Sequence, residues 1–308
     1  MRIVVVGAGV VGLSTAVRLR EAGIEADVVA REDPQETTSA VAAAIWYPYL
    51  VQPFDRVLGW SEASLREFRA LAEQEDPEDT GVVMREGVEL VGARTETPWW
   101  VPAVPDWKRL EFTPPPYRDG WTFTTPIIEM PRYLDWLQRR FEAGGGTITR
   151  MALSALPDHA DLVVNCSGLG ARLLGGDDEI EPVRGQVLRL AQVGLTRWML
   201  AEDGPTYVVP RSRDIVVGGS EERGAWDRRP DPELAEQILA RAVALVPELA
   251  DAEVLGHRVG LRPARPRVRL ELEKLSTGHK VIHCYGHGGS GVTISWGCAD
   301  EVLSLLDL

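Results

Sequence analysis

Cysteine is scarce in this chain. Its 308 residues include three cysteines, Cys166, Cys284 and Cys298, with no C-x-x-C pair among them. This count and spacing exclude a disulfide framework and do not match the paired ligands of a zinc site. We therefore expect a reducing compartment, the cytoplasm, and no bound metal.

The chain also lacks an excess of positive charge and has no long apolar run. The net charge of −13 disfavours nucleic acid and anionic membrane surfaces as partners. No stretch approaches 18 uninterrupted apolar residues, so we expect no membrane-spanning helix. Glycines interrupt the apolar N-terminal run, and we expect no signal peptide. The length allows one large domain or two modest ones.

The first thirty residues contain the most informative motif. They predict a strand over 2–6, the turn Gly7-x-Gly9-x-x-Gly12, a helix over 13–21 and a strand over 26–30. In this βαβ context the three glycines indicate a dinucleotide site. Gly7 would make a tight turn, Gly9 would admit a pyrophosphate, and Gly12 would let helix and strand pack closely. The helix N-terminus would face the phosphates. The motif alone leaves FAD and NAD open.

A second glycine turn lies near the other end of the chain. The pattern predicts a strand over 280–285, a loop over 286–291 and a helix over 292–306. A second helix N-terminus could stabilise the negative charge that a reduced isoalloxazine carries at its N1–C2=O edge. Two such turns favour FAD over NAD.

The middle of the chain alternates helices and strands. Helices are predicted over 61–74, 131–142 and 232–246, and strands over 82–91, 147–151, 160–168, 186–190, 206–209, 214–218 and 252–261. Residues 97–117, crowded with Pro and Trp, should be irregular. We assign 186–190, 206–209 and 214–218 to a second sheet. The predicted fold class is α/β.

Several segments together resemble the D-amino-acid oxidase family. They are GAGVVGLSTA (7–16), VAAAIWYPYL (41–50), VVNCSG (163–168), RGQVLRL (184–190), GHRVGLRPARPRVRL (256–270) and VIHCYGHGGSGVTISWGCA (281–299). The resemblance implies an FAD-binding, Rossmann-like βαβ domain interleaved with a mostly antiparallel α+β substrate domain. We place the former at 1–50, 130–185 and 256–308, and the latter at 51–129 and 186–255.

The resemblance implies three residues at the substrate. Arg262 matches the arginine that grips the substrate carboxylate, a task suited to a planar, bidentate guanidinium. Tyr207 matches a tyrosine that contacts the same carboxylate, and Gly289 matches the carbonyl that receives the amino group. From the residues alone, Arg262 could equally be a surface arginine, and Tyr207 a core aromatic.

The resemblance also implies a set of cofactor contacts. They are Gly7, Ala8, Gly9, Val10, Val11, Gly12, Arg31, Glu32, Thr37, Thr38, Ser39, Ala43, Ala44, Ile45, Met151, Ser167, Gly168, Gly288, Gly289, Ser290, Gly291, Val292 and Thr293. By chemistry and spacing we prefer Glu32 over Arg31 for the adenosine ribose. The hydroxyls of residues 37–39 could bind phosphate or cap a helix.

Two regions depart from the family pattern or leave alternatives. Eukaryotic relatives carry a flexible lid with a second tyrosine near the position of Asp203, and the run here is shorter, so we predict a missing or shortened lid. Glu221 falls near the pocket rim by resemblance, which argues against D-aspartate and allows neutral or basic side chains; it could also lie in a solvated turn. His283 and His287 share a metal-like spacing, but no carboxylate accompanies them and we predict no metal.

The predicted activity is FAD-dependent oxidation of D-amino acids by O2, giving a 2-oxo acid, ammonia and hydrogen peroxide. The resemblance also allows a homodimer. The rival functions are a glycine- or sarcosine-type flavin amine oxidase, a D-aspartate oxidase, a flavin-binding sensor without activity, and an NAD-dependent dehydrogenase. Fold alone would not separate them.

Overall fold

The computed structural model describes residues 2–202 and 205–306. The strands are β1 (Arg2–Val6), β2 (Glu25–Ala30), β3 (Val82–Val91), β4 (Lys108–Arg109), β5 (Asp119–Ile128), β6 (Ile148–Arg150), β7 (Leu162–Asn165), β8 (Glu181–Ala191), β9 (Trp198–Ala201), β10 (Thr206–Pro210), β11 (Asp214–Gly218), β12 (Glu222–Arg223), β13 (Val254–Lys274) and β14 (Lys280–His287). The α-helices are α1 (Val10–Glu21), α2 (Phe54–Gln74), α3 (Pro77–Thr80), α4 (Met130–Ala143), α5 (Ala171–Leu174), α6 (Pro232–Leu245) and α7 (Ser295–Ser304).

One half of the sheet is parallel. Its strands follow the order β14-β7-β1-β2-β6, and each neighbouring pair runs parallel. The β-branched run of β1 is buried from Ile3 onward, as expected for a strand covered on both faces. Helix α1 packs against α4 and α7. The predicted Rossmann-like βαβ unit is confirmed.

The other half of the sheet is mostly antiparallel. It continues from β8 through β11, β10 and β9 to β3, β5 and β4. The pairs are antiparallel except for β3 with β9. Helix α6 packs on β8, β10 and β11, and Ile238 and Ala242 join a core with Leu190 and Ile215. This half supplies the mostly antiparallel α+β part of the predicted fold class.

Strand β13 joins the two halves. Its first part, as far as Ala264, pairs with β8, and its last part, from Arg269, pairs with β14. The register of β13 with β14 shifts between Ala264 and Arg269, where Pro266 lies, and Pro263 stands just before that shift. Proline donates no hydrogen bond and fits such irregular positions of a sheet. The strands assigned to a second sheet therefore belong to one continuous sheet, which corrects that expectation.

Most predicted elements are present, with shifted ends. Helix α2 begins at Phe54, directly after Pro53, rather than at residue 61. Helix α7 begins at Ser295 rather than at residue 292, because a turn separates the glycine loop from the helix. The predicted domain division remains a prediction, and two of its boundaries, 185/186 and 255/256, fall inside β8 and β13.

Among the helices of residues 2–202 and 205–306, we find none with the length and apolar character needed to cross a membrane.

Candidate active site

The glycine turn after β1 forms an anion-binding cradle. Gly7 has a φ of +115°, a conformation that L side chains rarely adopt. A Cβ on Gly12 would collide with the carbonyl oxygen of Gly7, so the turn requires glycine there. Helix α1 follows, with no acidic residue in its first turn to offset the positive end of its dipole. These features fit a pyrophosphate.

A cavity of about 680 Å³ extends from this cradle toward β13. Its volume lies within the range of ~300–1,000 Å³ typical of ligand and cofactor sites. The predicted cofactor residues that line it are Gly7, Ala8, Gly9, Val10, Val11, Gly12, Arg31, Glu32, Thr37, Thr38, Ser39, Met151, Ser167, Gly168, Gly288, Gly289, Gly291 and Val292. Tyr207 and Arg262 line the same cavity. The structure thus brings both glycine turns and both predicted carboxylate-binding side chains to one space.

The hydroxyls of residues 37–39 are already engaged by protein groups. Ser39 Oγ accepts a hydrogen bond from Val10 N at 3.0 Å, at the start of α1. Thr38 donates to the carbonyl of Leu261, and Thr37 donates to that of Pro34. Thr37 precedes the 3₁₀ helix Thr38–Val41, but its side chain does not cap it. Ser39 therefore stabilises the cradle itself, and phosphate contacts by this segment remain a prediction.

Five predicted cofactor residues do not line the cavity: Ala43, Ala44, Ile45, Ser290 and Thr293. The hydroxyl of Ser290 bonds the backbone N and O of Tyr49 at 2.6 and 2.7 Å. Thr293 holds the backbone of Tyr47 in the same way, at 3.1 and 3.0 Å. The hydroxyls of Ser290 and Thr293 thus support segment 45–49, and flavin contacts by these five residues remain a prediction.

Segment 45–49 is bracketed by unusual backbone. Ala44 and Leu50 have φ values of +55° and +52°, which makes them the two non-glycine residues with positive φ in the described ranges. Such conformations persist where the surroundings enforce them, often at functional sites. A Cβ on Gly288 would meet the carbonyl of Leu50, so the glycine loop and this segment are in close contact.

Arg262 lies near the end of the part of β13 that pairs with β8. Its Nη1 donates to the carbonyl of Ser220 at 3.0 Å. A Cβ on Gly185, in β8, would lie 2.5–2.6 Å from the guanidinium atoms, so glycine there leaves room for Arg262. Tyr207 on β10 lies opposite Gly218 on β11, where a Cβ would collide with the tyrosine ring. Two glycines of the sheet thus make space for two functional side chains.

Burial and charge set the ionisation of Tyr207. Burial raises the pKa of its hydroxyl, and Arg262, within hydrogen-bonding reach, offsets part of that rise. The hydroxyl is therefore protonated at neutral pH and remains a hydrogen-bond donor. Arg262 and Tyr207 together present donors to an anionic group in the cavity.

Tyr49 is a site residue that the sequence did not single out, although it belongs to the quoted aromatic segment. Its ring lies against Gly289, where a Cβ would approach it to 2.5 Å. Its hydroxyl donates to Glu221 at 2.5 Å, and burial followed by this bond raises the pKa of Tyr49. Arg262 and Tyr207 are close enough to affect that pKa. Glu221 also pairs with Arg223 at 3.3 Å.

The histidines at metal-like spacing face different surroundings. His283 pairs with Glu273 at 2.9 Å, so the expectation that no carboxylate accompanies these histidines was wrong, because the pairing of β13 with β14 brings Glu273 to His283. His287 lines the cavity, and burial lowers its pKa to about 4, so it is neutral at pH 7. Ligand atoms of Cys284, His287 and Cys298 lie within 4.8 Å of one another, a buried cluster that distances along the chain did not reveal. The absence of a metal remains a prediction.

The fit to a cofactor rests on the cavity's two ends. The cradle around Gly7 and Gly12 suits a pyrophosphate, and Glu32 follows β2 at the position suited to a ribose hydroxyl. The loop of Gly288 and Gly289 lies beside Tyr207 and Arg262 in the same lining. A dinucleotide whose reactive ring reaches an anion-binding pocket fits this arrangement. The fold and the cavity therefore define a protein built to bind a dinucleotide next to an anion-binding pocket.

Comparisons with known proteins specify the family. A family model described as FAD dependent oxidoreductase matches residues 2–305. The chain belongs to this family of FAD-dependent oxidoreductases, and its cofactor is FAD.

Curated relatives are similar over nearly the whole chain. A D-amino-acid oxidase of Rubrobacter xylanophilus is 52% identical over 313 residues, covering 99% of this chain and 95% of that protein. A D-amino-acid oxidase of Streptomyces coelicolor is 42% identical over 308 residues, covering 98% and 96%. A D-aspartate oxidase of Homo sapiens is 38% identical over 321 residues, covering 99% and 94%. The chain is also similar to the crystal structure of glycine oxidase from Geobacillus kaustophilus, with a TM-score of 0.85 and 19% sequence identity. The match covers 99% of this chain and 95% of that one and shows a shared fold.

Proposed function

We propose that this protein is a D-amino-acid oxidase. Bound FAD would take the Cα hydride of the substrate at N5, O2 would reoxidise it and form hydrogen peroxide, and the imino acid would hydrolyse to a 2-oxo acid and ammonia. One observation carries the proposal: Arg262 and Tyr207 line the FAD cavity together, beside Gly289. The relatives named D-amino-acid oxidase, at 52% and 42% identity, support it.

The protein's role is to bind and orient the substrate. Arg262 offers two parallel donors to the α-carboxylate, and Tyr207 adds a third. The carbonyl of Gly289 accepts a hydrogen bond from the amino group. These contacts hold two substituents of Cα, the carboxylate and the amino group, and so orient its hydrogen. When bound, FAD supplies the two-electron acceptor, which O2 regenerates.

Proton removal does not require a protein base. Among the described residues that line the cavity, the one carboxylate is Glu32, at the adenosine end, and the one imidazole is His287. His287 is buried beside Cys284, with its Nε2 3.9 Å from Sγ. We therefore propose that the substrate ammonium loses its proton to solvent, on or before binding.

The charges near Arg262 favour neutral side chains and allow basic ones. Glu221 lies next to Tyr49 and near Arg262, so a second carboxylate on the substrate would meet a negative charge. The other cavity-lining arginines among the described residues are Arg31, Arg172 and Arg228, and none of them belongs to β13. We expect kcat/KM for D-alanine and D-valine to exceed that for D-aspartate, and the reverse order would favour a D-aspartate oxidase.

The predicted missing or shortened lid bears on how substrate enters the site. The predicted shortened segment begins at Asp203 and Gly204, which lie outside the described residues. We propose an open entrance, so that turnover does not wait for lid motion. A kcat that falls in proportion to solvent viscosity would contradict this.

The visible spectrum of the purified protein tests the activity. Under anaerobic conditions, D-alanine or D-valine should bleach the flavin band, their L-enantiomers should not, and air should restore it. Bleaching by glycine or sarcosine alone would assign the chain to the glycine- or sarcosine-type oxidases. A flavin band that ignores every amino acid would support a sensor, and the absence of flavin even after FAD is added would overturn the cofactor assignment.

Oligomeric state and location rest on the sequence. The homodimer follows from the family resemblance, and the cytoplasm follows from three unpaired cysteines. Sedimentation of the holoenzyme tests the first, and fractionation of the native cells tests the second.

A further inference from the structure

Three exposed apolar side chains line the cofactor cavity. Met151, Leu173 and Trp226 are 50%, 66% and 55% exposed, and all three belong to the lining. Isolated exposed apolar residues are ordinary, but several around one cavity indicate a ligand surface. Of the three, Met151 was predicted to contact the cofactor, whereas Leu173 and Trp226 have no assigned role.

Trp226 belongs to the connection between β12 and α6, in the antiparallel half. This connection is firmly anchored although it lacks regular structure. Arg184, whose side chain is 5% exposed, donates to the carbonyls of Asp227 and Arg229 at 2.9 and 2.7 Å. Gln186 bonds both the backbone N and O of Asp231, at 2.7 and 2.8 Å. The position of Trp226 is therefore set by buried polar groups of β8.

The same connection reaches the end of β2. Arg228 Nη1 lies 3.4 Å from Glu32 Oε1, and Arg31 pairs with the same oxygen at 2.8 Å. Met151 is also held there, since its N donates to the carbonyl of Ala30 at 2.7 Å. Glu32 is the residue suited to the adenosine ribose, and Trp226 and Met151 line the same cavity, so an adenine attached to that ribose would be within reach of them.

We propose that residues 226–228 form a clamp on the adenosine half of FAD. Trp226 stacks on the adenine ring, and Arg228 holds Glu32 in position for the ribose hydroxyls. Both are positioning residues for the cofactor, supplied by the half of the molecule that binds the substrate. The inference rests on FAD as cofactor and is independent of which amino acid is oxidised. Stacking between aromatic side chains and bases is tolerant of context and strong enough to measure.

The test compares FAD release from the holoenzyme and its Trp226→Ala variant. On dilution, the fluorescence of released flavin gives the Kd for FAD, and ADP and FMN are then titrated as competitors. We expect Trp226→Ala to raise the Kd for FAD and the inhibition constant for ADP by roughly 10- to 100-fold. The constant for FMN should not change, because FMN lacks adenine. Trp226→Phe should recover most of the affinity.

Phe112→Ala is the matched control, because Phe112 is 89% exposed and lies outside the cavity lining. It should leave every constant unchanged. Arg228→Gln should weaken the binding of FAD and ADP by a smaller factor than Trp226→Ala does. It should leave the binding of FMN unchanged. Equal FAD and ADP binding in wild type and Trp226→Ala would overturn the clamp while leaving the oxidase proposal intact. Equal losses for ADP and FMN would also overturn it, because they would indicate a general structural defect.

Discussion

The two halves of the sheet hold their ligands by different means. In the parallel half, the cradle is built from backbone and glycines of one contiguous motif, Gly7 to Gly12. In the antiparallel half, Arg262 and Tyr207 come from separate strands, and glycines on neighbouring strands make room for them. The first half should therefore be sensitive to an added methyl group at the cofactor, and the second to the loss or displacement of a side chain at the substrate.

Arg262→Ala should give the largest effect. It removes the charged fork for the carboxylate, and losses of this kind correspond to roughly 2–5 kcal/mol. We expect kcat/KM for D-alanine to fall by about three orders of magnitude, mainly through KM, with flavin content unchanged. Steady-state kinetics at matched FAD occupancy measure this. Arg258→Ala, on the same strand but outside the cavity lining, is the control. An unchanged KM in Arg262→Ala would contradict the assignment.

Gly12→Ala should weaken the binding of the cofactor, FAD. The new Cβ collides with the Gly7 carbonyl, so the cradle must open. We expect FAD affinity to fall by about 100-fold, seen as a low ratio of visible to ultraviolet absorbance after purification. Gly59→Ala is the matched control, because this helical glycine has nothing within 4 Å of the added Cβ. It should keep its flavin and gain roughly 0.5–1 kcal/mol of stability.

The comparison becomes sharper when the same change is made in the antiparallel half. In Gly185→Ala the three atoms nearest to the added Cβ all belong to the guanidinium of Arg262, so the substitution pushes against that group. A displacement of about 1 Å can reduce turnover by ~100-fold. We therefore expect kcat/KM to fall by roughly 10- to 100-fold while the Kd for FAD stays at the wild-type value. Loss of flavin in Gly185→Ala would show that the halves do not separate the two tasks.

The sequence predicted the parallel half better than the antiparallel half. The turn at Gly7 and the start of α4 depend on residues adjacent in the chain, so local patterns identify them. Arg262 and Gly185 are brought together only by the pairing of β13 with β8, and the family resemblance, not periodicity, suggested the role of Arg262. No local pattern indicated that Tyr49 would contact Glu221, because that contact spans 172 residues.

Strand β13 shows a further limit of local patterns. The pattern predicted a strand over 252–261, yet the strand continues to Lys274. Pro266 is tolerated because it lies where the strand changes partner, and Pro263 stands just before that point. Such a change of partner depends on both neighbouring strands, and no window of β13 itself contains that information.

The stability of the antiparallel half should also depend on pH. In the antiparallel half, burial raises the pKa of Glu89 to about 7, although Tyr47 and Trp121 both donate to it at 2.7 Å. The unfolded carboxyl loses its proton near pH 4.5 and the folded one near pH 7. Its contribution to stability is therefore fully present below pH 4.5 and lost as pH rises through 7, a change of ~3 kcal/mol.

Glu89→Gln provides the measurement for this effect. The amide keeps a partner for Trp121 through its oxygen and for Tyr47 through its nitrogen, but it does not titrate. Thermal unfolding of the two holoproteins at pH 5 and pH 8 should show the wild type losing stability relative to the variant at the higher pH. Parallel pH profiles would mean that Glu89 ionises with an ordinary pKa.

The order of strands in the parallel half has a consequence for biosynthesis. Strand β1 lies beside β7, and β7 lies beside β14, so neighbours in space are separated by more than a hundred residues of chain in each case. A ribosome delivers β1 well before β14, and pairing between such distant segments is slow. The part of the cavity lining that residues 284–292 supply is therefore missing until those residues have been synthesised. FAD uptake is then a late event in the life of each molecule, and a nascent chain stalled before residue 280 should bind no flavin.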